Sequence, residues 1–308
     1  MNLAALFGGP TDPAIDCGGR LIVFDRPRIM AVLNRSPDSF SDGGAHAVLD
    51  DAVEHALRLV AEGADLLDIG GESTRPGAAA VSVQVELDRV LPLIERLRGQ
   101  LTVPISIDTS KPEVMRAAVA AGAGLINDVR ALRGDGALAA AAELGVPVCL
   151  MHMQGAPASM QDAPHYEDVL ADVKGFLAER LFACQLAGID KKQLLVDPGF
   201  GFGKTRQQNL ALLAGLRRFT DLGCPILVGL SRKRLIGEVT GRELDQRLHG
   251  SVAAALLAVE RGAAMVRVHD VGATRDALAM LAALAPYRAL AAAGTSAKPT
   301  SPTWDEDA

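Results

Sequence analysis

Residues 104–129, PISIDTSKPEVMRAAVAAGAGLINDV, decide the fold because they contain a complete strand, helix and strand. The runs PISIDT and GLINDV are short and rich in β-branched residues, which is typical of buried strands. Between them, KPEVMRAAVAAGA places apolar residues at helical spacing and closes at Gly122, a residue type favoured just after a helix. A strand, a helix and a second strand in this order predict a parallel βα unit of an α/β fold.

The same alternation occurs eight times from position 28 onward. The remaining strands are predicted in RIMAVLN, DLLDIGG, PVCLMHM, QLLVDPGF, PILVGLS and MVRVHD. Several of the intervening amphipathic stretches also end in glycine, at Gly63, Gly145, Gly188, Gly223 and Gly262. Eight such units in about 250 residues predict a TIM (β/α)8 barrel, with a doubly wound open sheet as the alternative.

The two ends of the chain lie outside this alternation. Residues 15–27, IDCGGRLIVFDRP, predict a short N-terminal β-hairpin that turns at Gly18 and Gly19 and covers the bottom of the barrel. We assign residues 1–19 to an N-terminal extension that includes the start of the hairpin, and 20–290 to one barrel domain. Residues 291–308, AAAGTSAKPTSPTWDEDA, are rich in Ala, Ser, Thr and Pro and predict a disordered tail.

The amino-acid composition argues against some classes of binding partner. The 308 residues carry a formal net charge of -6 and no lysine- or arginine-rich run, which argues against a nucleic-acid partner. No apolar segment reaches the roughly 18 residues of a membrane span, and the N-terminus lacks the cationic region of a signal peptide. The four cysteines lack zinc-site spacing and are predicted to be reduced core thiols. We therefore expect a cytoplasmic protein without a membrane partner.

The stretch DPGFGFGKT, residues 197–205, ends like a nucleotide-binding P-loop. A P-loop requires its first glycine at position 198, where Pro198 stands, and proline has no N–H to offer a phosphate. The dinucleotide fingerprint also fails, because Lys204 occupies the place of its third glycine. The stretch therefore does not predict a nucleotide-binding loop.

Catalytic residues of a TIM barrel lie at the C-terminal ends of its strands. The polar residues predicted there are Asn34, Asp68, Glu72, Ser73, Thr74, Arg75, Asp108, Asn127, Asp128, His152, Asp197, Ser231, Arg232, Lys233, Arg267, His269 and Asp270. Acids and an amide come from strands three, four and six, and cations come from strands seven and eight. This division predicts a ligand with an N–H-rich edge, such as a fused heterocycle with an amino-amidine edge, and a phosphate or diphosphate at its other end.

Some of these polar residues have a structural alternative. Asp68, Glu72, Asp128, His152 and Asp270 could instead cap helices or tie loops together. Asn34 offers a neutral oxygen that could contact a Mg²⁺ held largely by a diphosphate. The loops PDSFSDGG and GESTRPGA are bounded by glycine and are candidates for lids over the site, or alternatively are simple solvated connections.

Seven motifs together resemble dihydropteroate synthase of the bacterial folate pathway. They are LNRSPDSFSDGG, DIGGESTRPGA, SIDTSKPEVMRAAVAAGAGLINDV, LMHMQG, LLVDPGFGFGKT, VGLSRK and RVHDV, and they extend from about residue 28 to residue 271. The resemblance implies a Mg²⁺-dependent transferase that joins 6-hydroxymethyl-7,8-dihydropterin diphosphate to 4-aminobenzoate and releases 7,8-dihydropteroate and diphosphate. It also implies that the diphosphate departs before the arylamine attacks, that the enzyme is of the class targeted by sulfonamides, and that it is a homodimer.

The resemblance further implies roles for residues at the matching positions. Those for pterin diphosphate are Thr74, Asp108, Asn127, Asp197, Lys233, Arg267 and His269. Those for 4-aminobenzoate are Arg75, Pro76, Phe202, Ser231 and Phe40, and the one near the metal is Asn34. The catalytic group comprises Lys233, Arg267, His269, Asp108 and Asp38. Lys204 then stands beside the site.

The sequence departs from the family pattern at three places. Arg35 and Ser36 replace the usual Val-Thr, Ala31 replaces a usual Gly, and KTRQQN replaces the common KTLEHN. Two other functions compete with the synthase: a methyltetrahydrofolate domain of a corrinoid methyltransferase, which has no diphosphate to bind, and a non-catalytic paralogue, which would be expected to lose loop or phosphate residues. The presence of Arg75, Lys233, His269 and the PDSF loop favours the synthase.

Overall fold

The computed structural model describes residues 13–34, 45–74, 77–155, 160 and 164–292, without the side chains of 45–47 and 288–292. The described chain begins with an antiparallel hairpin of strands β1 (Ala14–Asp16) and β2 (Leu21–Val23). Gly18 and Gly19 form its turn with φ values of 67° and 86°, a backbone region that favours glycine. The predicted hairpin is therefore confirmed.

Eight parallel strands follow and close into a barrel. They are β3 (Arg28–Asn34), β4 (Leu66–Gly70), β5 (Ile105–Asp108), β6 (Leu125–Asp128), β7 (Val148–Met151), β8 (Leu194–Asp197), β9 (Leu227–Val228) and β10 (Met265–Val268). The order of hydrogen-bonded neighbours is β8-β7-β6-β5-β4-β3-β10-β9. A parallel bridge between Val196 and Ile226 joins the two remaining edges. The TIM barrel is confirmed, and the alternative of an open sheet is wrong.

Helices on the outside of the barrel connect the strands. They are α1 (Ala45–Ala61), α2 (Val83–Arg98), α3 (Pro112–Ala121), α4 (Ala137–Leu144), α5 (Val169–Leu186), α6 (Arg206–Ala214), α7 (Arg234–Thr240), α8 (Leu248–Glu260) and α9 (Val271–Ala292). All six glycines predicted to end these connections have positive φ, from 64° at Gly145 to 126° at Gly122. The chain can therefore reverse into the next strand without strain on a side chain.

The bottom of the barrel is filled by apolar side chains from both the hairpin and the strands. The buried cluster there comprises Ile15, Cys17, Ile22, Phe24, Met30, Leu66, Leu125, Cys149, Leu195, Leu227, Ala264 and Met265. The hairpin lies so close to the start of β6 that a Cβ at Gly124 would come within 2.2 Å of the carbonyl oxygen of Cys17. The hairpin thus closes the end of the barrel opposite the C-terminal strand ends.

Three other expectations concern the thiols, the tail and membrane spans. All four cysteines are free and buried, in agreement with their prediction as core thiols. Helix α9 extends to Ala292, and residues 293–308 of the predicted tail lie outside the described residues. Within the described part of the chain, no helix combines the length and the apolar character needed to cross a membrane.

Candidate active site

Buried polar side chains occupy the C-terminal end of the barrel. Asp68, Asp108, Asn127 and Asp197 lie on β4, β5, β6 and β8, and none is more than 8% exposed. A side chain on the barrel interior can be this polar only if hydrogen bonds compensate for the lost water. The donors come from the cations on the opposite strands and from backbone N–H groups.

Arg267 joins the acids of neighbouring strands. Its Nε donates to Oδ2 of Asp68 at 2.6 Å, and its Nη2 donates to Oδ2 of Asp108 at 2.9 Å. Asn127 Nδ2 donates to the same Asp68 oxygen at 3.0 Å. Acids and cations therefore meet inside the barrel, and the division of charge predicted from the strand ends is incomplete. We call Asp68, Asp108, Asn127 and Arg267 the upper cluster.

Burial controls the charges of the upper cluster. It raises the pKa of Asp108 to about 7; Arg267 opposes this rise, and the neighbouring Asp68 carboxylate adds to it. Burial alone would lower the pKa of Arg267, but Asp68 and Asp108 outweigh it and the pKa rises. Asp68 Oδ1 is buried and has no hydrogen-bond partner in the described part of the chain. A buried acceptor of this kind needs a hydrogen-bond donor, such as an ordered water or a ligand.

Asp197 and Lys233 form the other side of the site. Asp197 Oδ1 accepts from the Gly199 N–H at 2.7 Å, and burial raises the pKa of this carboxyl while Lys233 opposes the rise. Lys233 Nζ donates to the Phe200 carbonyl and lies 4.5 Å from the centre of the Phe202 ring. Burial lowers the pKa of Lys233 to about 8, against the opposing charge of Asp197. The ammonium therefore lies over the aromatic ring and within electrostatic range of the acid.

Ser231 and His269 are held together beside this pair. The His269 backbone N–H donates to Ser231 Oγ at 3.2 Å, and Nδ1 of the ring lies 3.0 Å from the same oxygen. Arg232, between Ser231 and Lys233, has a φ of 58°, which is uncommon for a residue with a side chain. Arg232 Nε donates to Asp270 Oδ2 at 3.0 Å and holds this turn in place. Asp270 therefore ties a loop, as its structural alternative predicted.

Asn34 lies at the edge of the site, next to Asp108. A Cβ on Gly70 would come within 3.1 Å of Asn34 Oδ1 and 3.6 Å of Asp108 Oδ2, so the glycine leaves room for both side chains. Thr74 is partly buried in the loop after β4. Four residues implied by the resemblance, Asp38, Phe40, Arg75 and Pro76, lie outside the described residues.

The other acids at strand ends have structural partners. Asp128 accepts from the N–H groups of Arg130 and Leu132, both at 2.8 Å. Glu72 accepts from Lys111 Nζ at 2.6 Å. Both follow the alternative in which these residues tie loops. Asp68 does not, because its partners are the two site residues Asn127 and Arg267.

Asp68 is a member of the site to which the sequence assigns no binding role. Its signal in the sequence is its place among the polar residues of β4, two strands away from β10, which supplies Arg267. Lys204, which is expected to stand beside the site, is also buried: only 3% of the residue is exposed.

Comparison with known proteins places this site in a family. The pterin binding enzyme family matches residues 30–269. Dihydropteroate synthase of Escherichia coli K12 is 51% identical over 265 residues, which are 86% of this chain and 94% of the relative. The chain belongs to the dihydropteroate synthase family. The resemblance and the transferase prediction are thus confirmed.

Two solved structures of the same family extend the comparison. Dihydropteroate synthase of Xanthomonas albilineans with 4-aminobenzoic acid is 63% identical, with a TM-score of 0.85, and the match covers 89% of this chain and 99% of that chain. The same enzyme in complex with 7,8-dihydropteroate is 59% identical, with a TM-score of 0.82 and the same coverage. The dihydropteroate synthase fold thus accounts for nearly all of the described chain.

Proposed function

We propose that this protein condenses 6-hydroxymethyl-7,8-dihydropterin diphosphate with 4-aminobenzoate, giving 7,8-dihydropteroate and diphosphate. The observation that carries the proposal is the buried set of Asp108, Asn127 and Asp197 facing Lys233 and Arg267 in one barrel mouth. Family membership at 51% identity to an enzyme of that name supports it.

The pterin would bind on the buried acids. Asp108 and Asp197 offer carboxylate oxygens and Asn127 offers an amide, which together suit the N–H-rich edge of a pterin ring. Lys233 would donate to the acceptor atoms of the ring, because its ammonium interacts electrostatically with Asp197, on which the pterin would rest. Arg267, fixed in orientation by Asp68 and Asp108, would present its guanidinium face to the ring and its charge to the diphosphate.

The diphosphate would occupy the open side of the mouth. His269 and Thr74 lie at that rim and would bind its oxygens, together with Arg267. Asn34 supplies one neutral oxygen there, and the described residues contain no group of three or more His, Cys, Asp or Glu arranged to hold a metal ion. A single protein oxygen fits Mg²⁺, which is commonly bound by one or two protein ligands together with substrate phosphates. When bound, Mg²⁺ would neutralise charge on the departing diphosphate.

4-Aminobenzoate would bind above the pterin, between Phe202 and Ser231. The Phe202 ring offers an apolar face, and the Lys233 ammonium 4.5 Å from its centre adds positive charge to the pocket. Ser231 Oγ, held by His269, would contact the second substrate from the other side. Arg75, Pro76, Phe40 and Asp38 complete this proposal as residues of the flanking loops.

The reaction needs no covalent intermediate with the protein. The C–O bond between the pterin methylene and the diphosphate breaks, and its electron pair leaves with the diphosphate. The amine nitrogen of 4-aminobenzoate then forms the new C–N bond and loses a proton to solvent. The charge of the cations at the barrel mouth would favour the first step, and the fixed position of the two substrates would favour the second.

Assembly and compartment belong to the same proposal. Met280, Leu284 and Tyr287 are 67%, 47% and 50% exposed and follow helical spacing along α9. An exposed apolar row of this kind supports a homodimer that covers it. The four reduced, buried cysteines support a cytoplasmic protein. Analytical ultracentrifugation of the full chain would test the dimer.

The experiment that tests the function mixes the purified protein with the pterin diphosphate, Mg²⁺ and 4-aminobenzoate. We expect diphosphate and dihydropteroate to appear in equal amounts by chromatography, and both to disappear when Mg²⁺ is omitted. Pterin binding in calorimetry without either product would overturn the proposal and favour a non-catalytic role.

A further inference from the structure

Lys204 is a buried lysine without a carboxylate among its hydrogen-bond partners. Its Nζ donates to the carbonyl oxygens of Gly199 at 2.8 Å and Phe202 at 3.0 Å, and lies 2.9 Å from Nδ1 of His152. Burial, together with the charge of Lys204, lowers the pKa of His152 to about 2, so the imidazole is neutral and its Nδ1 can accept. The Lys204 amino group therefore meets three uncharged acceptors. Its burial lowers the pKa of Lys204 well below the usual value, and the charge of Asp197 opposes this shift.

These contacts lie within a loop that is unusually tightly folded. We define the glycine loop as residues 198–204, which follow β8. Gly199, Gly201 and Gly203 have φ values of 69°, 80° and 62°, so every second residue is left-handed. A Cβ would come within 1.8 Å of the His152 carbonyl oxygen at Gly199 and within 2.6 Å of the Gln154 carbonyl oxygen at Gly203. The loop is therefore in close contact with the connection after β7, at His152 and Gln154.

In this conformation, carbonyl groups of the glycine loop accept hydrogen bonds from the side chains of two lysines. Lys204 binds the carbonyls of Gly199 and Phe202, and Lys233 binds that of Phe200. The Gly199 carbonyl also accepts from the Phe202 N–H at 3.2 Å, so Lys204 reinforces a turn that the backbone already closes. Other points of the loop are held by Asp197, Tyr166 and Asn209. Lys204 is therefore one of several groups that fix the shape of the loop, and it binds the Phe202 carbonyl directly.

Phe202 depends on this arrangement for its position. Its carbonyl is bound by Lys204, and its ring packs against a small buried cluster of Val129, Met151, Met153 and Met160. The carboxylate that would bind the pterin has a second support. Asp197 Oδ1 accepts from the Gly199 N–H of the loop at 2.7 Å, but Asp197 also belongs to β8, and its carbonyl accepts from the His152 N–H at 2.9 Å in the barrel ladder. Asp197 is thus fixed by the barrel as well as by the loop, whereas Phe202 lies within the loop.

We propose that Lys204 is a positioning residue for the second substrate: it sets the affinity for 4-aminobenzoate by holding the glycine loop in the shape that presents Phe202. The proposal rests on the proposed function, which places 4-aminobenzoate on Phe202. It assigns to Lys204 no contact with either substrate. The lysine that makes this loop look like a P-loop serves the loop's own carbonyls instead of a phosphate.

The first test replaces the amino group by an apolar group of similar length, Lys204→Met. We expect the KM for 4-aminobenzoate to rise about tenfold, the effect of losing a buried hydrogen bond. The Kd for pterin diphosphate, measured by calorimetry at pH 7.5, where Lys233 with its pKa of about 8 keeps most of its charge, should stay within about twofold. Equal losses for the two substrates would overturn the proposal.

A matched control comes from the other end of the same strand. Lys192 is exposed in the turn that precedes β8, and Lys192→Met makes the same chemical change away from the glycine loop. This variant should keep both substrate constants. If Lys204→Met does not fold, Lys204→Gln retains an amide that can donate to two of the three acceptors, and a smaller rise in the same KM is expected.

A double-mutant cycle separates positioning from a general structural role. In the Phe202→Ala background, Lys204→Met should raise the KM for 4-aminobenzoate by less than about twofold, because the ring that it positions is gone. Fully additive effects would show that Lys204 acts elsewhere and would overturn the proposal. The two proposals fail differently: absence of dihydropteroate with the wild-type protein removes both, whereas an active wild type with an additive cycle removes only the role of Lys204.

Discussion

Asp65 lies just before strand β4 and Asp68 lies three residues further along it, toward the top of the barrel, and arginine contacts each of them in a different way. Asp65, at the bottom, accepts from Arg26 at 2.6 Å, from Arg28 at 3.1 Å and from the Ile29 N–H at 2.9 Å. Burial would raise the pKa of Asp65, but Arg26 and the Ile29 N–H outweigh it and the pKa falls. The protein itself supplies every donor that this carboxylate needs.

The upper cluster is built with fewer donors. Arg267 is shared between Asp68 and Asp108, one oxygen of Asp68 has no partner within the described chain, and the pKa of Asp108 is raised. Both ends bury acids beside arginine, yet only the upper one leaves acceptors for something else to fill. The bottom of the barrel is thus organised for stability, and the top is organised for binding at some expense in stability.

The largest effect should come from the apolar bottom. Phe24 is fully buried in the cluster beneath the strands, and Phe24→Ala should lower the free energy of unfolding by about 3–5 kcal/mol. Denaturant unfolding measures the loss. Under conditions where the variant is folded, kcat/KM should match the wild type, since the cavity lies at the far end of the barrel. A large drop in kcat/KM would contradict this division between a stabilising bottom and a binding top.

The opposite result is expected for Asp197→Ala at the top. It removes the acceptor for a pair of ligand N–H groups and should weaken binding of pterin diphosphate by about 2–3 kcal/mol. Calorimetry gives the affinity, and thermal unfolding of the ligand-free protein measures separately the stability lost with the hydrogen bond from the Gly199 N–H. Unchanged affinity would contradict the placement of the pterin on this acid.

The upper cluster should also respond to pH, with a maximum of pterin diphosphate affinity between about pH 7 and 8. Below pH 7 Asp108, with its pKa of about 7, gains a proton and loses an acceptor; above pH 8 Lys233, with its pKa of about 8, loses its charge. On the acid side the affinity should fall by up to about tenfold per pH unit. Calorimetry from pH 5.5 to 9 measures both limbs.

A variant separates this titration from that of the diphosphate itself. Asp108→Asn keeps the size of the side chain but does not titrate, so its acid limb should be flatter than that of the wild type. An identical acid limb in both proteins would assign the pH dependence to the substrate.

The smallest effect should come from the ion pairs around Asp65, at the bottom of the barrel. Arg26→Ala removes one of the cations around Asp65, but the Arg26 side chain is 41% exposed and Arg28 and Arg275 still contact the carboxylate. The free energy of unfolding should fall by about 1 kcal/mol or less, as for other partly solvated ion pairs. Chemical denaturation measures it, and a loss as large as that of Phe24→Ala would show that the Asp65 cluster matters more than its exposure indicates.

The sequence predicted the barrel because its signals are local. Alternating strand and helix runs, and glycines such as Gly122 and Gly145 at the helix ends, depend only on neighbours along the chain. The same order placed Asp108, Asn127, Asp197, Lys233 and Arg267 at one rim, since the C-terminal ends of parallel strands meet there. The hairpin at Gly18 and Gly19 followed from its turn residues alone.

Only the tertiary structure decided which polar groups touch. Arg267 and Asp68 are 199 positions apart, and they meet because β10 pairs with β3, which in turn pairs with β4. The burial of Lys204 against His152, 52 positions away, likewise depends on the packing of two loops. Hydrogen bonds and pKa values arise from distance and burial in three dimensions, so residue types at strand ends determine the candidates for the site and the closed fold selects their roles.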